Sequence, residues 1–359
     1  MDALTLDDVA DALVFIDPNC SRNDWAQIAM AIKSEFGNQG FMVFDEWSQG
    51  GDSYNQNDCQ STWKSVRASG GVGIGTLISR AKDGGYQPKQ QQKLTPEQKK
   101  QREADQKKRR ETIEKQAEKD KEELNAWHER NAEACQRILD IHLDNMGKSK
   151  YLQRKKVAAF GIGFVTHGLV IITYLSEKRV DVITGKDDVS KFFDYRNSDE
   201  YDGNAVTFKY FKAGTIAIPM RDMDGKLWSL QFINENGSKQ FLKLSRKKEL
   251  FHLVSKNQPP TGGLINDDDQ VIAFAEGYAT AASILMATSW PTAVAFDAGN
   301  LAHVAAGFRG VYPDKKLLIC GDNDSHKPTN TGLESATATA HQVNGIAALP
   351  TFAKQAFNL

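Results

Sequence analysis

From Val271 onward, short apolar runs alternate with stretches of helical periodicity, and this restricts the fold more than anything else in the 359 residues. Strands are expected over 271–276, 292–297, 317–320 and 346–349, with helices over 278–286, after Asn300 and after Gly332. Repeated strand–helix units predict an α/β arrangement, a mostly parallel sheet flanked by helices. The most apolar window, 271–288, holds Glu276 in its first third, which favours a buried strand and helix over a membrane span.

In such a sheet, functional groups gather beyond the carboxyl ends of the strands. Glu276, followed by Gly277, ends the first strand, and Asp322 and Asp324 end the third in Cys320-Gly321-Asp322-Asn323-Asp324. Three carboxylates at one edge repel one another, and burying any of them unpaired is costly. A divalent cation resolves the conflict; Mg2+ takes few carboxylates together with water and substrate phosphates. Taken alone, Asp322 and Asp324 read as a turn or a helix cap. The Glu-Gly pair one βαβ unit earlier favours the metal edge.

Apolar residues make up 40% and charged residues 25%, which excludes a wholly disordered or collagen-like chain. The net charge of -1 names no partner, so local charge has to. Cys20, Cys59, Cys135 and Cys320 lie far apart with no C-x-x-C pair, which excludes a zinc ribbon built from local cysteine pairs and a dense disulfide framework. Scattered thiols suit a reducing compartment. The first ten residues carry three aspartates and no basic stretch, so they do not form a signal peptide, and a cytoplasmic location without membrane attachment is expected.

Composition separates four regions. Residues 1–86 form a small helical domain: Trp25, Ile28, Ala29 and Ile32 fall at helical spacing after Ser21, and a glycine-rich turn at 70–75 opens another helix at Thr76 that stops at Gly84-Gly85. Its tryptophans read as core anchors. Residues 87–130 form a charged helical spacer that starts at Thr95-Pro96-Glu97-Gln98; over 97–130 it interleaves eleven basic with ten acidic side chains and offers little to bury. A basic nucleic-acid arm is the other reading of that stretch. Residues 131–265 are expected to be β-rich, with strands at 161–164, 169–174 and 215–219, and hairpin turns at Asp224-Gly225 and Asn236-Gly237. Residues 266–359 are the region of alternating strands and helices.

Phe274-Ala275-Glu276-Gly277-Tyr278-Ala279-Thr280-Ala281, Ala295-Phe296-Asp297-Ala298-Gly299-Asn300-Leu301, Gly321-Asp322-Asn323-Asp324 and Asn330-Thr331-Gly332 together resemble the TOPRIM domain of phage and plasmid DNA primases. Tyr151-Leu152-Gln153-Arg154-Lys155, Ile218-Pro219-Met220-Arg221-Asp222, Ser229-Leu230-Gln231-Phe232-Ile233 and Gly237-Ser238-Lys239-Gln240-Phe241-Leu242 look like the segment preceding it in those primases. Residues 21–86 resemble a small accessory, primase C-terminal-type domain of phage primases through Asp24-Trp25, Asp45-Glu46-Trp47-Ser48, Trp63-Lys64-Ser65 and Ile74-Gly75-Thr76-Leu77. The resemblance implies Glu276 as the acidic catalytic residue, Asp322 and Asp324 as metal ligands, and Mg2+ or Mn2+ as the cofactor. The zinc module that often precedes such primases is absent, so no zinc is expected. Gly71-Val72-Gly73-Ile74-Gly75-Thr76 lacks the G-K-[ST] of a P-loop, so a helicase motor is expected in trans or in a missing C-terminal region.

Over 209–256 the chain carries ten Lys/Arg and four Asp/Glu, a local charge of +6. Arg221, Lys226, Lys239, Lys243, Arg246, Lys247 and Lys248 are interleaved with Trp228, Phe232 and Phe241, which suits the backbone and bases of a single strand. A solvated strand face with those aromatics in the core is the competing reading. Arg246-Lys247-Lys248 has no acidic residue inside the run. Lys327, shortly after Asp324, is a candidate for a substrate phosphate or a plain loop lysine. The expected function is a primase acting on single-stranded DNA with nucleoside triphosphates. A TOPRIM metal-dependent nuclease and a non-catalytic single-strand-binding helicase adaptor are the alternatives.

Overall fold

A computed structural model describes residues 4–66, 71–88, 95–256, 264–323 and 330–350. The chain divides into two compact units, residues 1–123 and 124–359. In the first, α1 (Leu6–Leu13), α2 (Arg22–Phe36), α3 (Phe41–Ser48), α4 (Gln56–Ser65) and α5 (Ile74–Asp83) close over Ile28, Ile32, Phe36, Phe44, Trp63 and Leu77. The expected caps form: Ser21 accepts from the Asp24 amide, and the Trp25 and Trp47 indoles donate to Ser48 Oγ and to the Ile16 carbonyl, both at 2.9 Å. Helix α5 starts two residues ahead of Thr76, because the extended backbone of Gly73 already serves as its cap.

The charged segment is one long helix, α6 (Pro96–Arg137), opened by Thr95 and Gln98 in reciprocal capping bonds. It buries more than its composition suggests. Within the first unit, Gln106 donates to Glu35 at 2.9 Å, Arg110 stands 3.6 Å from the same carboxylate, and the Arg109 guanidinium lies 4.6 Å from the Phe36 ring centre. Glu35 is only 6% exposed, so these partners offset the cost of burying its charge.

The second unit takes up α6 from Leu124 and continues through a wider π turn at Ile138–His142 to α7 (Lys150–Lys155). Beyond α7 come β1 (Gly163–Phe164), β2 (Leu169–Tyr174), β3 (Arg179–Thr184), α8 (Lys186–Arg196), β4 (Val206–Phe211), β5 (Ile216–Arg221), β6 (Leu227–Ile233), β7 (Lys239–Phe241) and β8 (His252–Val254). The α/β region adds β9 (Val271–Ala275), α9 (Tyr278–Thr288), β10 (Thr292–Val294), α10 (Ala298–Val311), β11 (Lys316–Cys320), α11 (Thr331–Gln342) and β12 (Ile346–Ala348).

Three sheets result, ordered β1-β5-β6-β7, β3-β2-β4 and β12-β11-β9-β10-β8. The last is parallel from β12 to β10, as the alternation predicts, with β8 added antiparallel at the edge. The two expected hairpins join β5 to β6 and β6 to β7, with Gly225 and Gly237 at φ of +82° and +94°. Phe232 stacks on Phe211 at 3.9 Å between ring centres, fully buried. Among the described residues, no helix is long and apolar enough to cross a membrane.

His252 on β8 is 7% exposed and its Nε2 lies 2.8 Å from the Phe160 carbonyl. Burial pushes its pKa down to about 4, against the pull of that carbonyl. The unfolded chain, at about 6.5, therefore binds the proton more readily, and His252 costs stability as the pH falls. Between pH 6.5 and 4 the loss should reach about 3 kcal/mol at about 1.36 kcal/mol per unit. Denaturant titrations of the wild type and of His252→Asn should show a shallower pH slope for the variant in that window.

Candidate active site

Strand β9 is buried on both faces, as a central parallel strand must be, and it sets the level of the site. Its last residue, Ala275, pairs with Cys320 of β11 on one side and Val294 of β10 on the other. The chain therefore leaves the sheet at one level in three places: Glu276 in the centre, Gly321-Asp322 on one flank and Phe296-Asp297 on the other. Glu276 is half-buried, with Oε1 shielded from solvent, whereas Asp322 is exposed. Gly277 caps α9, whose first residue, Tyr278, is buried and anchored: its hydroxyl accepts from the Phe160 amide at 2.7 Å and donates to the Ala158 carbonyl at 3.1 Å.

The backbone at Asp322 is fixed by two glycines in close approach. A Cβ on Gly332 would lie 2.1 Å from the Asp322 carbonyl oxygen, and one on Gly321 would lie 2.6 Å from the Gly332 oxygen. Asn330, the cap of α11, donates to Asn323 Oδ1 at 2.9 Å, and Asn323 donates to the Pro350 carbonyl at 2.9 Å. Asp324 and Lys327 fall in 324–329, outside the described residues.

The expected edge thus brings Glu276 and Asp322 to neighbouring strand ends. Among the described residues no group of three His, Cys, Asp or Glu side chains is placed to hold a metal ion. The donor chemistry nevertheless fits: two hard carboxylates at one edge, one of them open to solvent, match a cation that uses one or two protein carboxylates and completes its shell with water and phosphate oxygens.

The basic residues sort by their partners. Lys239 on β7 reaches this edge, its Nζ 3.4 Å from where a Cβ on Gly277 would stand. Lys239 and Lys243 are exposed and make no ion pair among the described residues. Lys226 pairs with Glu129 at 2.7 Å, and Arg221 is half-buried and donates to the Gly225 carbonyl at 2.9 Å, closing the hairpin. The run without an internal acid finds acids through the fold: Arg246 meets Asp222 at 3.9 Å and Glu249 at 3.2 Å, Lys248 meets Glu249 at 3.9 Å, and Lys247 pairs with Asp297.

The aromatics divide likewise. Phe232 is core, on the face turned from solvent, and has no surface to stack a base. Trp228 is half-buried, with Lys226 and Arg246 at 3.7 Å and 4.7 Å from its ring centre and its indole donating to Asp222 at 2.6 Å. A basic surface outside the counted window lies at α7: Lys148, Lys150, Arg154, Lys155 and Lys156 are exposed, and only Lys150 has an ion pair among the described residues, with Glu235 at 3.1 Å. Arg154 and Tyr151 flank Gly237 in the β6–β7 turn, beside the strand that carries Lys239. The signal was in the sequence, in Lys148-Ser149-Lys150 and Arg154-Lys155-Lys156.

With Asp322 as a ligand, Gly332→Ala should weaken Mn2+ binding about tenfold, the low end for disturbing a group that supports a metal ligand. The methyl has no room against the Asp322 carbonyl, so α11 or the ligand must move. Electron paramagnetic resonance titration of Mn2+, with circular dichroism to confirm the fold, measures this.

Residues 9–81 match the family model described as Primase C terminal 2 (PriCT-2), and residues 271–356 match the Toprim domain. Two curated relatives, each described as DNA primase TraC from Escherichia coli, are 40% identical over 141 residues and 39% identical over 140. Each match covers 38% of this chain but only 9% of the first relative and 13% of the second. A solved DNA primase domain from Pseudomonas aeruginosa overlaps 57% of this chain and 63% of its own at 14% identity and a TM-score of 0.34, a likeness too slight to build on. The chain therefore carries a region that matches primase C terminal 2 and, further along, one that matches the Toprim domain, and the curated relatives it resembles over part of their length are described as DNA primases.

Proposed function

We propose that this chain is a DNA primase that joins nucleoside triphosphates into short primers on a single-stranded DNA template in phage, plasmid or mobile-element replication. The observation that carries the reading is the placement of Glu276 and Asp322 at neighbouring carboxyl ends of a parallel sheet, within the stretch that matches a Toprim domain. Mg2+ or Mn2+ bound by Glu276, Asp322 and Asp324 would neutralise charge on the reacting phosphate. Glu276, the more shielded carboxylate, serves as a ligand or as general base toward the attacking 3′-hydroxyl. Lys239, at Gly277, meets phosphate beside it. A replicative helicase, in trans or in a longer form of the chain, opens the template.

Replacing Asp322 and Asp324 together by Asn should abolish primer synthesis from labelled ribonucleotides on single-stranded DNA, while thermal unfolding stays unchanged. Full synthesis by the double variant overturns the assignment. Degradation of the template without nucleotides marks a nuclease, and normal strand binding with no oligonucleotide under any template, cation or nucleotide mixture marks an adaptor.

The strand itself is held by exposed cations that make no ion pair among the described residues, Lys148, Arg154, Lys155 and Lys156 at α7 together with Lys243. Replacing Lys148, Lys155 and Lys156 by Ala should make the slope of log affinity against log salt shallower by about 0.7 for each phosphate no longer neutralised. Fluorescence anisotropy with a labelled single strand measures it, and an unaltered slope places the strand elsewhere.

A further inference from the structure

We propose that Lys247 contacts the phosphates of the incoming nucleoside triphosphate and that Asp297 is the residue that positions it. The inference rests on the primase reading, and it separates Lys247 from the template-binding cations with which its sequence neighbours group it. Asp297 stands on the flank of Glu276 opposite Asp322. The pairing of β10 with β9 extends one residue past Val294, through the Ala295 amide to the Ala275 carbonyl at 2.8 Å, and then stops at Phe296.

Phe296 has a φ of +71°, a left-handed conformation that aromatic side chains rarely adopt. Such strain persists only where the surroundings enforce it, and it concentrates at functional sites. Here the ring is 6% exposed and meets Phe241 edge-on at 6.4 Å. The kink turns the chain into α10 and points Asp297 as its cap: Oδ1 accepts from the Asn300 amide at 2.8 Å, and Oδ2 takes Lys247. Both oxygens of the carboxylate are thereby committed, which fixes where the ammonium sits.

The loop that presents Lys247 is pinned from below. Asn300, 3% exposed, accepts from the Glu249 amide at 2.8 Å and donates to the carbonyls of Leu250 and Ala295, both at 2.9 Å. A buried amide with its donors and acceptor satisfied between a loop and a strand end is a rigid support. The ammonium also lies 5.7 Å from the centre of the Phe241 ring. Yet the pair is open to a ligand, with Lys247 45% and Asp297 37% exposed at the side chain. Lys239 at Gly277 and Lys247 at Asp297 thus bracket Glu276 from two elements, an arrangement that suits a polyphosphate.

The test uses the full chain and ATP as probe, comparing the wild type with Lys247→Ala, Lys247→Arg and Asp297→Asn; the last keeps an oxygen for the α10 cap while removing the charge. Equilibrium ATP binding in Mg2+ should weaken about tenfold in Lys247→Ala, the scale of one charge-assisted hydrogen bond, and less in Asp297→Asn. Lys247→Arg should recover most of it. In primer synthesis the effect should fall on the nucleotide KM more than on kcat, with single-strand affinity and its salt slope unchanged. Unaltered ATP binding in Lys247→Ala overturns the proposal, as does a wild type that binds no ATP, or a lowered salt slope with ATP affinity intact. A wild type that binds ATP through Lys247 yet makes no primer leaves this inference standing and removes the primase reading instead.

Discussion

The parallel pairing of β9 with β11 is the constraint on which the site depends. Five residue pairs run from Lys316 opposite Val271 to Cys320 opposite Ala275, and their register decides that Glu276 and Asp322 emerge side by side. A slip of one residue would turn the buried face of β11, that of Leu317 and Ile319, outward. A slip of two keeps that face but carries Asp322 about 6.6 Å along the strand, at about 3.3 Å per residue, beyond the reach of a shared cation. The alternation of buried Leu317 and Ile319 in β11 thus does more than fill a core: by locking the register against β9, it aims the carboxylates.

Just past each strand end, the chain is held as firmly as the strand itself. The Tyr278 hydroxyl ties the first turn of α9 to Ala158 and Phe160, so the Glu276–Gly277 corner is attached to the segment that precedes the β-rich part of the unit. Gly321 and Gly332 allow the backbone at Asp322 to lie against α11 with no side chain between. Asn300 ties the loop at 249–250 to the end of β10. Each of the three strand ends therefore has its own anchor, which is how a site gains precision when its ligands sit just past regular structure.

The α/β region was legible in its order of elements because each strand is an apolar run and each helix starts at a Gly, Asp or Asn cap, although the strand expected over 292–297 ends at Val294 and the next helix starts at Ala298, before Asn300. The hairpins at Gly225 and Gly237 were legible for the same local reasons. The charged and mixed segments were not. Helix α8 begins with Lys186-Asp187-Asp188 and buries only Phe192 fully, so its helical spacing of Val189, Phe192 and Phe193 is hidden between aromatic strands. Strands β3 and β4 are half-exposed and carry polar residues among their apolar ones, which blurs the alternation. The pairing of Lys247 with Asp297 joins residues far apart in the chain, and no local pattern encodes it. Counting charge along the chain marked Arg246, Lys247 and Lys248 as one patch; the fold sets Lys247 apart at Asp297, while Arg246 and Lys248 share Glu249.

That division of charge also orders the surface around the carboxylates. Exposed ion pairs contribute at most about 1 kcal/mol, so a pair such as Lys226 with Glu129 gives up little when a phosphate competes for the ammonium. Cations with no acidic partner among the described residues give up less still, and those of α7 and β7 lie along one path. Arg154 and Tyr151 of α7 lie against the β6–β7 turn at Gly237, and Lys239 in the next strand lies against Gly277. On the proposed reading, a strand whose phosphates track α7 is led across that turn toward Glu276, while Lys247 approaches the same carboxylate from the β10 side. Template and nucleotide would then meet the acidic edge from separate cations, which keeps the salt-sensitive grip on the strand independent of the contacts that select a triphosphate.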